Sequence, residues 1–341
     1  MIMYNKKVFI TGVFGYLGSS LARNLLEQGY QISGIDNLCY EQDYQNIVSK
    51  INPEGLSKFT YHLADIRDGN LLKDLIKKNQ PDFIVHFGDL SSVYSCNHNP
   101  PFTETVNIGG TTNIISYCSE MEIPLLINSS SSVYGVQKAR HLCTEHDALP
   151  DSSDLYCLTK LRIEKLLKSQ SIQNSKFKYI AFRPATVFGQ GLRFRIELLP
   201  NHFCFSALKN KQIRVSDLNA YRAFIHLDTL VSAYTHIINK NIFTNQVYNI
   251  GSFNLTKLDV ALTIQRHVDC KIITIPDIGD LRNLQISSSS FCSETGISLD
   301  DDFDLRMHQL VDWFTPKIND FCNSNFNGLL NMPLSNWLSI I

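Results

Sequence analysis

One eight-residue stretch, Thr11-Gly12-Val13-Phe14-Gly15-Tyr16-Leu17-Gly18, limits the fold of this chain more than any other. It follows a strand-like run, Lys7–Thr11, and opens a helical run, Tyr16–Gln28. The glycines fall at G-x-x-G-x-x-G spacing. Gly12 permits a tight turn after the strand. Gly15 removes the Cβ that would keep a phosphate away from the backbone, and Gly18 lets the helix pack closely on a sheet. The N–H groups at the helix start, those of Tyr16 and Leu17 among them, act with the helix dipole to favour an anion. Placement between a strand and a helix is the context that such a motif requires.

The rest of the first half repeats the same alternation. Strands are expected at Gln31–Asp36, Phe59–His62, Phe83–Phe87, Leu125–Ser129 and Lys178–Arg183. Helices are expected at Asn70–Lys78, Thr105–Glu120 and Asp154–Ser169. Strands separated by helices imply right-handed crossovers and a mostly parallel sheet covered on both faces. After Thr186 the pattern loosens. Gln212–Val215, Gln246–Ile250 and Lys271–Ile275 read as strands, and Thr229–Asn239 and Thr256–His267 as helices. The expected fold is α/β, a Rossmann-type doubly wound parallel sheet with a smaller C-terminal α/β substrate lobe. The nucleotide domain spans 1–186 and regains 229–251. The lobe takes 187–228 and 252–318, and 319–341 forms a tail.

The second strand ends at Asp36, followed by Asn37. A carboxylate there can accept from the adenosine ribose hydroxyls and would repel a 2′-phosphate, so NAD is expected over NADP.

Two further motifs carry proton chemistry. In Tyr156-Cys157-Leu158-Thr159-Lys160, Tyr and Lys are four apart and share one helical face. An ammonium beside a phenol favours phenolate, so Tyr156 can take a proton from a hydroxyl while hydride leaves the same carbon. Asn128-Ser129-Ser130-Ser131-Ser132-Val133-Tyr134-Gly135 ends a strand. Strand carboxyl ends face the ligand crevice of open α/β sheets.

Together these motifs resemble the extended short-chain dehydrogenase/reductase family, in its nucleotide-sugar epimerase/dehydratase branch. The resemblance spans roughly residues 7–314. It implies Ser130, Tyr156 and Lys160 as the catalytic set, with Lys160 also holding the nicotinamide ribose and Tyr134 lining the sugar pocket. Asp65-Ile66 resembles the adenine-contact dipeptide, and Phe87 follows the fourth strand on the cofactor path. Asn107, in Val106-Asn107-Ile108-Gly109-Gly110-Thr111, matches the family's Asn that supports the active-site helix. Arg183-Pro184 resembles the pair that lies near the nicotinamide.

The resemblance also locates substrate contacts. Arg222, in Arg222-Ala223-Phe224-Ile225-His226-Leu227-Asp228, and Arg282 are similar to the family's diphosphate arginines. A guanidinium fork suits paired phosphate oxygens. Thr186 with Arg193 and Arg195 looks like a subgroup that includes GDP-heptose 4-dehydrogenases. Three positions depart from the family pattern. The usual H-x-A-A is His86-Phe87-Gly88-Asp89, which brings an unexpected carboxylate toward the cofactor path. Thr186 replaces a common Asn. Ser131 and Ser132 stand where sugar 4,6-dehydratases carry Asp-Glu, which argues against dehydratase chemistry because loss of water needs a positioned acid.

The implied activity is NAD-dependent oxidation of C4 of a nucleotide hexose, ending in epimerisation or release of the keto sugar. A catalytically silent NAD-binding sensor or scaffold is the competing class, and intact Ser130, Tyr156 and Lys160 argue against it. An NADPH-linked carbonyl reductase is the third reading, disfavoured by Asp36.

The net charge of −1 gives no field for nucleic acid or anionic lipid. No window reaches the length of a membrane span. The nine cysteines are odd in number and show no C-x-x-C spacing. Reduced thiols in a cytoplasmic protein are expected, with no metal site. The resemblance implies a homodimer through a four-helix interface of 105–120 and 154–169.

Overall fold

The computed structural model describes residues 6–40, 43–55, 57–135, 137, 141–147, 154–276 and 283–319. Arg282 and all of the expected tail beyond residue 319 lie outside them. No helix among the described residues is long and apolar enough to cross a membrane.

The chain runs β1 (Lys7–Thr11), α1 (Tyr16–Glu27), β2 (Gln31–Asp36), α2 (Tyr44–Ile51), β3 (Phe59–Leu63), α3 (Gly69–Asn79) and β4 (Phe83–His86). Then come two short helices, α4 (Val93–His98) and α5 (Pro100–Thr103), a π-helical turn at Glu104–Gly110, α6 (Thr111–Glu120) and β5 (Leu125–Asn128). A 3₁₀ turn at Ser131–Tyr134 leads to β6 (Leu142–Cys143), α7 (Leu155–Gln173), β7 (Tyr179–Pro184) and β8 (Thr186–Phe188). The remainder is α8 (Leu199–Asn210), β9 (Gln212–Val215), β10 (Tyr221–His226), α9 (Leu227–Lys240), β11 (Gln246–Ile250), β12 (Phe253–Thr256), α10 (Lys257–His267), β13 (Lys271–Thr274), β14 (Gln285–Ile286), α11 (Ser289–Thr295) and α12 (Phe303–Phe314).

These elements fall into two compact units. The first comprises 1–133, 149–183 and 231–248, and the second 134–148, 184–230 and 249–341. The first is built on a seven-stranded sheet in the order β11-β7-β5-β4-β1-β2-β3. Pairings among β1, β2, β3, β4, β5 and β7 are parallel. Strands such as Phe83–His86 and Tyr179–Pro184 are buried along their whole length, as expected where helices cover both faces. The strand order reverses between β1 and β4, which creates the crevice where open α/β sheets bind ligands.

The helix expected at 105–120 has an irregular first half. Glu104–Gly110 winds as a π-helix before α6 begins. Paired glycines weaken the α preference there, and a β-carbon on Gly110 would lie 2.4 Å from the Ile66 side chain. Gly110 therefore lets this segment press against the loop after β3. π turns recur at functional sites, and this one carries Asn107.

The second unit holds three small sheets, β12-β10-β8, β13-β9 and β14-β6. Its core is aromatic: Phe188, Phe224, Phe253 and Phe303 meet at centroid separations of 5.2 to 6.4 Å. Helices α8, α10 and α12 close that core with Phe203, Phe205, Val260, Ile264, Met307 and Phe314.

Candidate active site

Gly12 sits at φ +66°, a conformation that disfavours any β-carbon. A β-carbon there would lie 2.7 Å from the Phe87 carbonyl oxygen. The turn after β1 thus touches the turn after β4 backbone to backbone, and Phe87 N–H donates to Thr11 O at 3.1 Å. A β-carbon on Gly15 would approach the Gly12 oxygen to 3.1 Å, and one on Gly18 to 2.1 Å. Gly15 is the N-cap of α1, with no side-chain hydrogen bond on the cap and no acidic residue in the first turn, which includes Tyr16, Leu17 and Gly18. A helix start without its own anion, behind a cradle that β-carbons would fill, fits a pyrophosphate.

Asp36 lies at the end of β2 and is held in place by main-chain donors, Phe14 N at 3.0 Å and Leu38 N at 2.9 Å. Exposed Asn37 donates to Asp65 at 2.9 Å. Asp65 also takes a two-bond contact from Arg67. Partial burial works against the Asp65 carboxylate, but the bonds from Arg67 and Asn37 outweigh it and bring its pKa down to about 2. Ile66 is buried beside Gly110. These groups suit the adenosine end of a dinucleotide.

The three residues expected to move protons converge. Asp154 caps α7 by accepting from Tyr156 N at 2.9 Å, which starts the helix one residue before Tyr156. Lys160 follows on the same face, with Nζ 5.6 Å from the Tyr156 ring centroid. The Ser130 hydroxyl lies close enough to the phenol to favour its ionised form. Ser130 Oγ also accepts from Ser132 N at 3.1 Å, which fixes the turn beyond β5. Burial and, less, the Asp89 carboxylate raise the phenol and the Lys160 ammonium and Ser130 hydroxyl lower it, and burial wins, leaving it at about 12.

Asp89 is the departure from H-x-A-A, and its carboxylate contacts Lys160 Nζ. Lys160 also donates to Asn128 O at 2.8 Å. Burial works against its charge, but Asp89 and Tyr156 outweigh that and raise its pKa. Asn107 anchors this corner. Its amide bonds both Leu90 N–H, at 2.8 Å, and Leu90 O, at 3.0 Å, and reaches Thr159 Oγ1 at 3.3 Å. Asn107 thus acts through its neighbours, tying the turn after β4 to α7.

Arg183 is buried, and its guanidinium takes both oxygens of Glu164, at 2.8 and 2.6 Å. Phe87 stands edge-on to Tyr234 at 5.1 Å, and the Tyr234 hydroxyl bonds the Asn128 side chain. Asn128, Thr159, Glu164 and Tyr234 were not singled out as site residues in the sequence. Asn128 opens the serine run and could have been included; Tyr234 lies in an ordinary helical pattern and carries no such signal.

The second unit holds the expected substrate residues that are described, apart from Ser131 and Ser132. Ser131 is buried and Ser132 O accepts from Cys157 Sγ at 2.9 Å. The Tyr134 ring is fully buried, with its hydroxyl donating to Asn249 at 2.5 Å. Thr186 pairs with Phe224 between β8 and β10. Arg222 is buried on β10 and donates to Tyr221 O at 3.0 Å. Arg195 pairs with Glu197 at 2.6 Å, while its carbonyl accepts from Asn201 at 2.8 Å. Arg193 is half-buried in the same loop.

The family model described as NAD dependent epimerase/dehydratase family matches residues 8–251. UDP-glucose 4-epimerase 2 of Arabidopsis thaliana is 30% identical over 186 residues, 52% of this chain and 51% of that protein. The fold is similar to that of UDP-glucose 4-epimerase of Thermotoga maritima, solved with UDP-glucose: TM-score 0.78, 18% identity, 92% of this chain and 99% of that one. It is also similar to dTDP-glucose 4,6-dehydratase of Bacillus anthracis in complex with NAD: TM-score 0.79, 21% identity, 92% of this chain and 98% of that one.

Proposed function

The chain belongs to the NAD-dependent epimerase/dehydratase family, and from that premise we propose that it oxidises the C4 hydroxyl of a nucleoside-diphosphate hexose through a 4-keto intermediate. The observation that carries this reading is the convergence of Ser130, Tyr156 and Lys160 in one buried cluster. Tyr156 accepts the C4 hydroxyl proton, Ser130 shares the hydrogen bond during the transfer, and the Lys160 ammonium stabilises the phenolate. Bound NAD supplies the hydride acceptor and a positive charge. Arg222 and Arg282 are assigned to the substrate diphosphate, and Arg193, Arg195, Thr186 and Tyr134 to the sugar or its carrier, on the strength of the motif register. Gly12, Gly15, Gly18, Asp36 and Asp65 are assigned to the cofactor.

Two outcomes share this first step. Return of hydride to the other face gives a 4-epimerase, and escape of the keto sugar gives a 4-dehydrogenase. Ser131 and Ser132 offer no carboxyl acid, which argues against a dehydratase. Incubating the protein with NAD and a panel of UDP-, GDP- and dTDP-hexoses, followed by chromatography, tests the reading. An epimer or a 4-keto product is expected for at least one sugar. No product across the panel, with a partner protein bound only in the NAD-loaded form, would favour the sensor reading instead.

A further inference from the structure

The turn after β4 places a carboxylate where the family pattern has a small residue, and that carboxylate is buried against the catalytic ammonium. Asp89 and Lys160 side chains are 10% and 4% exposed. Their contact is built rather than incidental. Asp89 N–H donates to Phe87 O at 2.9 Å, and both main-chain groups of the next residue, Leu90, are clamped by Asn107. Asn107 in turn reaches Thr159, the residue before Lys160. Of the three N–H donors of the ammonium, one is directed at Asp89 and one at Asn128 O.

We propose that Asp89 is a positioning residue for this reaction, which fixes the Lys160 ammonium and offsets its charge, so that the proton-transfer unit is carboxylate–ammonium–phenol rather than ammonium–phenol. The proposal deepens the reading of the same site given above. Two consequences follow from charge and geometry. One N–H of Lys160 is left to serve the nicotinamide ribose. The phenol feels an ammonium whose field is partly cancelled, so Tyr156 holds its proton more tightly than a Tyr beside an uncompensated Lys.

The groups that act on the phenol come from several elements. Lys160 comes from the same helix, Ser130 from the end of β5, Asp89 from the turn after β4 and Cys96 from α4. Tyr234, from α9, senses both Asp89 and Tyr156 and stays neutral, its own ionisation pushed up by burial first. Cys96 is held as a thiol by burial and by Asp89, at about 12. His86, from β4, faces Lys160 and is held neutral by burial and by that ammonium, at about 3. It sits between two hydroxyls, Thr11 Oγ1 at 2.6 Å and Thr111 Oγ1 at 2.9 Å. Asp154 caps the same helix through Tyr156 N, so among the described residues Asp89 is the carboxylate in contact with the ammonium itself.

The test uses the free protein first. Tyrosinate absorbance is titrated in the parent, in Asp89→Asn, in Asp89→Glu and in the Asp89→Asn/Tyr156→Phe double variant. Removing one neighbouring charge shifts a pKa by about 1–3 units. A tyrosinate step lowered by about that much is expected in Asp89→Asn, absent from the double variant, with Asp89→Glu returning toward the parent. Superimposable curves for parent and Asp89→Asn would overturn the proposal. The second arm is the pH profile of turnover on whichever sugar the panel identifies. Its acid limb should move down in Asp89→Asn in step with the titration. A moved titration with an unmoved profile would reduce Asp89 to a structural role and overturn the positioning claim. Because the first arm needs neither NAD nor sugar, an inactive panel leaves it readable, and the two readings fail separately.

Discussion

The first unit buries two ion pairs of nearly equal exposure, and they are built to different ends. Arg183 and Glu164 are 5% and 10% exposed, Lys160 and Asp89 4% and 10%. In the first, a planar fork meets both carboxylate oxygens, and Ser129 adds a bond to Glu164 at 2.5 Å. In the second, a point charge meets one carboxylate oxygen and a main-chain carbonyl, and a phenol stands beside it. Arginine keeps its proton in any protein environment, whereas a buried lysine can lose it. The comparison teaches that burial alone does not mark a functional pair. What distinguishes the second is a phenol one helical turn away and directly at its ammonium, with the Ser130 hydroxyl beside it.

The contrast breaks hardest at the phenol. Tyr156→Phe removes the proton acceptor beside the lysine pair and leaves the arginine pair untouched. Turnover of the responsive sugar should fall by about 10²–10⁴-fold, the usual share of a general base. NAD affinity measured by calorimetry should change little. An active Tyr156→Phe would make the lysine pair as structural as the arginine pair.

The next effect lies in the arginine pair. Glu164→Gln removes the carboxylate charge from a buried guanidinium that cannot discharge itself. Loss of one partner of a buried pair costs about 3–5 kcal/mol. Denaturant unfolding should show a cost of that size across pH 6–9, with no slope tied to Arg183.

Asp89→Ala should cost less, because the Tyr156 phenol still opposes burial at Lys160, and the pH dependence tells the two apart. In the parent, the Lys160 pKa is raised above its ordinary 10.5. Its contribution is therefore complete below 10.5 and is lost as pH climbs through the folded value. Without Asp89 the ammonium stays charged over the neutral range, but its folded value falls back toward 10.5. Stability of the parent should then fall more steeply above pH 10.5 than that of the variant. Stability curves that stay parallel through that range would show that Asp89 does not set the charge of Lys160.

These differences also mark what the sequence could disclose. The cradle was legible because backbone chemistry is written in residue type. Gly12, Gly15 and Gly18 have few reasons to stand at that spacing other than the close approaches seen here. Tyr156 and Lys160 were legible because helical spacing puts them on one face. Asp89 was visible as a departure from pattern, but its partner lies 71 residues away, and no local period connects them. Tyr234 and Glu164 were hidden for the same reason, since tertiary contacts across β5, α7 and α9 bring them in. The π turn at 104–110 was read as ordinary helix. Its winding is set by where Asn107 must reach, a distant demand that overrides helical preference. In the second unit the short strands β8, β10 and β12 and the helices α8 and α12 gave weak signals, because their apolar residues cluster on several small sheets rather than alternating along one. Tyr134–Ala148, read with the nucleotide domain, groups with that unit through the pairing of β6 with β14.

The smallest effect asks how the lysine pair is held. Thr159 Oγ1 donates to Tyr156 O at 2.8 Å and accepts a long bond from Asn107 at 3.3 Å. Thr159→Val keeps the shape, removes both bonds and leaves the two bonds between Asn107 and Leu90 in place. Loss of one ordinary hydrogen bond costs about 1 kcal/mol, which thermal unfolding can resolve. The tyrosinate titration should not move, because the turn carrying Asp89 remains clamped from the π-helical side. A shift in that titration would mean that the position of Asp89 is set through α7 rather than through Asn107 and Leu90. The lysine pair would then depend on a hydroxyl in the active-site helix, whereas the arginine pair is fixed by its own fork.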